Sequence, residues 1–178
     1  WQSDADAVYE RHCGYDASSL APQVAAPHSP ANSAAVDAHA GVRIDQAYIG
    51  ACTGAKLSDL HMAAAVLKGR KVASGVRLLI APASTRTTRE AAADGTLATL
   101  VDSGAILLPT GCGACAGYGT GVLASGEVCI ASTARNFKGR MGSPGASVYL
   151  ASPYTVAASA VRGTIGDPRE LLHERAAA

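Results

Sequence analysis

Three cysteines have the type and spacing for metal chemistry. Cys112 and Cys115 form a Cys-x-x-Cys pair in Gly111-Cys112-Gly113-Ala114-Cys115, and Cys52 lies about sixty residues earlier in Gly50-Ala51-Cys52-Thr53-Gly54. Cysteine binds metal as thiolate, and the pair lets two sulfurs reach one ion or cluster from a single turn. The flanking glycines permit φ > 0 and a close approach of backbone N–H groups that can donate to sulfur. Three sulfurs are one fewer than a closed zinc or iron–sulfur site uses, and an open position is what a catalytic metal needs. The alternatives at this point are a redox Cys-x-x-Cys or half of a zinc site, and for Cys52 alone a small buried core residue. The glycines around the pair oppose the helix that a redox pair usually opens.

A second group lies in the basic loop from Thr133 to Gly142. Arg135 and Arg140 sit there among glycines after an apolar run, and guanidinium groups suit bidentate binding of carboxylates. Solvated surface charge is the alternative for both, and Lys138 points elsewhere if its neighbours point inward. Cys129 alternates with Val128 and Ile130 and reads as core, while Cys13 receives no role. His28, flanked by prolines, reads as a loop histidine, and Asp59, Asp94 and Asp102 read as solvated helix faces.

The elements that must position these residues follow a strand, turn and helix rhythm from Val42 onward. Apolar runs at 44–51, 76–81, 105–109, 127–132 and 147–151 predict strands. Leu57, Leu60, Ala64 and Leu67 recur at helical spacing within 56–68, and further helices are expected at 85–94, at 97–103 and from Ser152-Pro153 to about Val161. The alternation predicts an α/β fold: a mostly parallel sheet with helices on both faces, three-layered and Rossmann-like. Ligands of such sheets bind beyond the carboxyl ends of the strands, where the three cysteines and the arginine loop all fall. Residues 1–43 lack strong periodicity, and Pro22, Pro27 and Pro30 interrupt them. They are read as an extended N-terminal arm lying on a neighbouring surface, with 44–178 as the α/β metal-binding domain.

The chain has 178 residues, a formal net charge of +1 and only 16% charged residues, so neither a basic face for nucleic acid nor an acidic tail is present. No apolar run approaches the ~18 residues of a membrane span, and the acidic start carries no signal-peptide pattern. A cytoplasmic location is expected, with neither nucleic acid nor membrane as partner. Five cysteines, an odd number in a domain too large to need disulfides, favour metal or redox chemistry. Opening at Trp1 without methionine suggests a piece of a longer polypeptide.

Taken in order, Ile49-Gly50-Ala51-Cys52-Thr53-Gly54, Gly111-Cys112-Gly113-Ala114-Cys115, the run from Ser132 through Arg135-Asn136-Phe137 to Arg140, and Ser152-Pro153 resemble the third domain of the aconitase superfamily. The likeness points to its 3-isopropylmalate dehydratase and homoaconitase large subunits. Ser3-Asp4-Ala5-Asp6 and Pro27-His28-Ser29-Pro30 extend it into the arm. The resemblance implies a [4Fe-4S] cluster held by Cys52, Cys112 and Cys115, with the fourth iron open as a Lewis acid for a hydroxy acid. It implies that Arg135 and Arg140 grip carboxylates and that Asn136 supports their loop. The activity implied is a hydro-lyase that dehydrates and rehydrates a hydroxy di- or tricarboxylic acid, with isopropylmalate and leucine biosynthesis as first choice. The partners implied are the remaining domains of the large subunit and a small subunit carrying a mobile fourth domain, so the isolated chain is expected to be inactive. The rival is a non-catalytic zinc or redox module on the same cysteines. Two residues depart from the family pattern: Gly54 and Ala134 stand where asparagine is common.

Overall fold

The structure is a computed structural model and describes residues 2–176. Its central strands are those with the densest apolar residues: β3 (Gln46–Ile49), β4 (Arg77–Ile80), β6 (Val128–Ala131) and β7 (Ser147–Ala151). With β5 (Ile106–Leu107) they form the parallel run β7-β6-β3-β4-β5. Two further strands, β1 (Gln23–Ala25) and β2 (Ser33–Ala35), make a hairpin that joins this run antiparallel to β7. Thus the mostly parallel α/β sheet expected from the sequence is present, and it has seven strands among the described residues.

Buried on both sides, the strands divide their residues by the period of two that a pleated backbone imposes. Ala47, Ile49, Leu78, Ile80 and Ile130 face one core, whereas Tyr48, Leu79, Cys129 and Ala131 face another. On the first face lie α1 (Leu57–Leu67), α2 (Thr85–Ala93), α3 (Thr96–Asp102), α4 (Pro153–Arg162) and α5 (Pro168–Ala176), with α1 packed against each of the other four. Ser84 caps α2 through the Thr87 N–H, and Ser152 caps α4 through the Thr155 N–H with Pro153 following it. The second face carries a 3-10 turn at Gly113–Ala116 and the glycine-rich loops around Leu123 and Met141 in place of α-helices. Glycine explains this exchange. Gly121, at φ +92°, lets the chain cross directly over Leu79, where a Cβ would fall 2.3 Å from the leucine Cδ1. Three layers result: helices, sheet and loops.

The first 43 residues are only partly an arm. Val24 is fully buried in β1, and the turn Pro27-His28-Ser29-Pro30, with His28 exposed, reverses the chain into β2. The hairpin strands are three residues each, too short for an alternating pattern to register in the sequence. Helix α5 also escapes the periodic reading, although Asp167-Pro168 marks its start and the Asp167 carboxylate accepts from the Arg169 N–H at 2.8 Å.

Candidate metal and substrate site

Sheet order places the site. From β3 the chain steps outward to β4 and β5, then returns to lay β6 on the opposite side of β3. Parallel connections therefore diverge between β3 and β6, and a crevice opens beyond the carboxyl ends of strands at such a point. Cys52 lies there, in the turn after β3. Ser132, just past β6, ties that turn down: its hydroxyl accepts from the Gly50 N–H at 3.1 Å and donates to the Gly54 carbonyl at 2.7 Å. The turn approaches so closely that a Cβ at Gly54 would lie 2.0 Å from the Ser132 carbonyl oxygen.

Cys112 and Cys115 leave β5, two strands or roughly 10 Å from β3. The loop after β5 spans that distance by folding back across the loop-covered face. Its 3-10 turn closes with the Cys115 N–H on the Cys112 carbonyl at 2.9 Å, and Ala114, fully buried, packs beside Tyr48, Leu79 and Ala131. Cys115 reaches the same cluster of side chains as a half-buried residue, while Cys52 and Cys112 are exposed, and none of the three is in a disulfide. A pocket of about 350 Å³ opens here, bounded by Tyr48, Leu108, Gly111, Cys112 and Tyr118. Cys52 and the arginines lie outside its lining.

The arginine loop meets the cysteine turn at Gly117. A Cβ there would lie 3.2 Å from the Arg140 carbonyl and 3.7 Å from the Gly142 nitrogen, and the glycine takes φ +82°. Arg140 is partly buried, and its Nε is enclosed without a hydrogen-bond partner. Arg135 stands exposed. Between them Asn136 is fully buried: its Nδ2 donates to the Ala26 carbonyl at 2.8 Å and to the Val148 carbonyl at 3.1 Å. The side chain thus pins the loop to the hairpin turn after β1 and to β7. The structure brings Cys112, Cys115 and the Arg140 segment into one region and puts Cys52 at the neighbouring strand end.

Cys129 is enclosed in the core, as its alternation predicts, and burial pushes its thiol up to about 12. Asp94 is more than a solvated helix face. It accepts from the Thr96 N–H and pairs with His61 at 2.7 Å, and these partners hold its carboxyl at about 2.

Two groups escaped the sequence reading. Ser132 links the ends of β3 and β6, and the Tyr48 hydroxyl is buried beside the cysteine turn without a partner. Tyr48 carries a weak signal, a phenol within an otherwise apolar strand end; Ser132 carries none outside the fold.

Among the described residues, no three His, Cys, Asp or Glu side chains stand close enough to share a single ion. A single zinc ion takes its sulfurs at about 2.3 Å from the metal. A four-iron cage is larger and takes its thiolates at separate corners. Exposed or half-buried thiols, turns rich in flexible glycine and an unpartnered hydroxyl beside them fit such a group.

The chain belongs to the aconitase family: the model of the Aconitase family (aconitate hydratase) matches residues 1–163. Among curated proteins it is similar to 3-isopropylmalate dehydratase large subunit 2 of Archaeoglobus fulgidus, with 51% identity over 171 residues, covering 96% of this chain and 41% of the relative. The homoaconitase large subunit of Thermus thermophilus is 50% identical over 171 residues, again 96% of this chain and 41% of the relative. Mitochondrial homoaconitase of Debaryomyces hansenii is 49% identical over 171 residues, 95% of this chain and 25% of the relative. The chain therefore spans about two fifths of the length of the large subunits it matches.

Proposed function

We propose that this chain is the cluster-binding part of a hydro-lyase large subunit. In this reading Cys52, Cys112 and Cys115 hold a [4Fe-4S] cluster, and the enzyme interconverts hydroxy acids by dehydration and rehydration. The observation that carries the reading is the return of the cysteine turn across the sheet to the Arg140 loop, beside the strand end that bears Cys52.

When bound, the cluster supplies a Lewis-acidic iron for the hydroxyl that leaves as water. Arg140 donates to a substrate carboxylate through a guanidinium whose Nε has no acceptor within the protein. Arg135, exposed at the opening of the same loop, takes a second carboxylate. Asn136 keeps both arginines at a fixed distance from the sheet by bonding to the hairpin turn after β1 and to β7 at once. The pocket beside Cys112 presents an apolar wall through Leu108 and Tyr118.

Isopropylmalate is the substrate of first choice, in keeping with the names of several relatives, and leucine biosynthesis is the corresponding pathway. Acid–base groups come from the remaining domains of the large subunit and from a small subunit, so the isolated chain is inactive. The reading includes a cytoplasmic enzyme; no helix among the described residues is long and apolar enough to cross a membrane.

The test is Arg140→Lys in the complete enzyme. A lysine keeps the charge and loses the planar fork, so the KM for the hydroxy acid should rise at least roughly tenfold, with iron content unchanged. An unaltered KM would remove Arg140 from the substrate site.

A further inference from the structure

Tyr48 ends in an unpartnered polar atom near the cysteines. The residue is fully buried in β3, on the loop-covered face, and its hydroxyl makes no hydrogen bond to protein. Buried hydroxyls are normally satisfied, and one left alone calls for a reason. A phenylalanine would fill the same core space without this cost.

The hydroxyl faces the cysteine turn: the Cys115 N–H approaches it, and the sulfurs of Cys115, of Cys112 and, on the adjacent strand, of Cys129 lie around it, none of them at hydrogen-bond geometry. The Cys129 sulfur is already engaged, donating to the Ile130 carbonyl at 3.6 Å and approached by Gln46 Nε2 at 3.9 Å. The other two belong to the turn that closes over Tyr48, and Tyr48 lines the pocket together with Cys112. A neutral thiol is a weak acceptor, whereas a metal-bound thiolate is a strong one. The missing partner is therefore created when the cysteines take up metal.

We propose that Tyr48 is a positioning residue for the cluster: its hydroxyl donates to the thiolate sulfur of Cys115, or to that of Cys112 beside it, once the site is loaded. This rests on the cluster reading above and goes beyond it by assigning a fourth side chain to the sulfur environment. The hydrogen bond orients the ligating sulfur and disperses its charge, as partners beyond the immediate ligands do at metal sites generally. In the empty chain the same hydroxyl destabilises the fold. Loading and folding thus place opposite demands on one atom.

That opposition supplies the test. Wild type and Tyr48→Phe are loaded anaerobically with iron and sulfide, and iron loss to a chelator is timed. The thermal midpoint of each empty chain is measured in parallel. The expected result is an unchanged or raised midpoint for the empty variant, together with iron release about ten- to a hundredfold faster than from wild type. A lowered midpoint with equal release would show that the hydroxyl has a structural partner instead and would overturn the proposal. Equal release from two loaded proteins overturns it while leaving the cluster reading intact. Failure of wild type itself to take up iron with sulfide would overturn both.

Discussion

At Gly54 the backbone has no space for a side chain, because the Ser132 carbonyl occupies the position a Cβ would take. The close seam between the turns after β3 and β6 therefore leaves no room for the asparagine that the resemblance leads one to expect here. Gly54→Asn should push the two turns apart and destabilise the chain by about 1–3 kcal/mol, the usual cost of forcing atoms into a filled space. Urea unfolding measures it, and a variant as stable as wild type would mean that the seam opens freely. For the other departure, Ala134, the structure shows an exposed residue and offers no reason for its identity. The cysteines could be singled out at this scale because their spacing and their glycine-lined turns stand out in the sequence. Tyr48 and Ser132 were not, since their significance lies in what other strands bring to them.

Among the elements, the loop between β6 and β7 depends on Asn136 more than on either arginine. Its amide holds a carbonyl just past β1 and one in β7 simultaneously, so the hairpin formed by residues 23–35 is part of the support for the site. That link is invisible in the sequence, where more than a hundred residues separate Asn136 from Ala26. Removing the amide leaves two carbonyls without that donor. Asn136→Ala should cost about 1–3 kcal/mol and speed amide exchange around residues 133–140 while leaving the helices protected. Uniform protection throughout would show that the loop is held by other contacts. The five parallel strands and the first four helices could be read from apolar spacing, within a few residues at their ends, whereas the three-residue strands β1 and β2 could not. The cover of the second face could not, because glycine-rich loops carry no period; the same glycines let residues 108–126 fold back flat against the sheet.

For the whole molecule, the parallel order places the divergence of the chain between β3 and β6; Cys52 follows β3, and the cysteine turn meets the Arg140 segment at Gly117. Part of the surface remains apolar: Ile106 and Leu107 on the edge strand β5 are 49% and 42% exposed, and Phe137 is 51% exposed in the arginine loop. Such residues beside a site accord with a chain that spans about two fifths of the large subunits it matches. The fold class was open to sequence reasoning because the spacing of apolar runs fixes the alternation of strand and helix. The meeting of separate turns in one region depends on contacts between elements, which apolar spacing does not encode. The direct measurement is anaerobic reconstitution with iron and sulfide, followed by counting both and recording the visible spectrum, on wild type and Cys52→Ser side by side. The account predicts about four irons and four sulfides per wild-type chain, lost in the variant. Equal contents in the two proteins, or zinc bound without acid-labile sulfide, would contradict it.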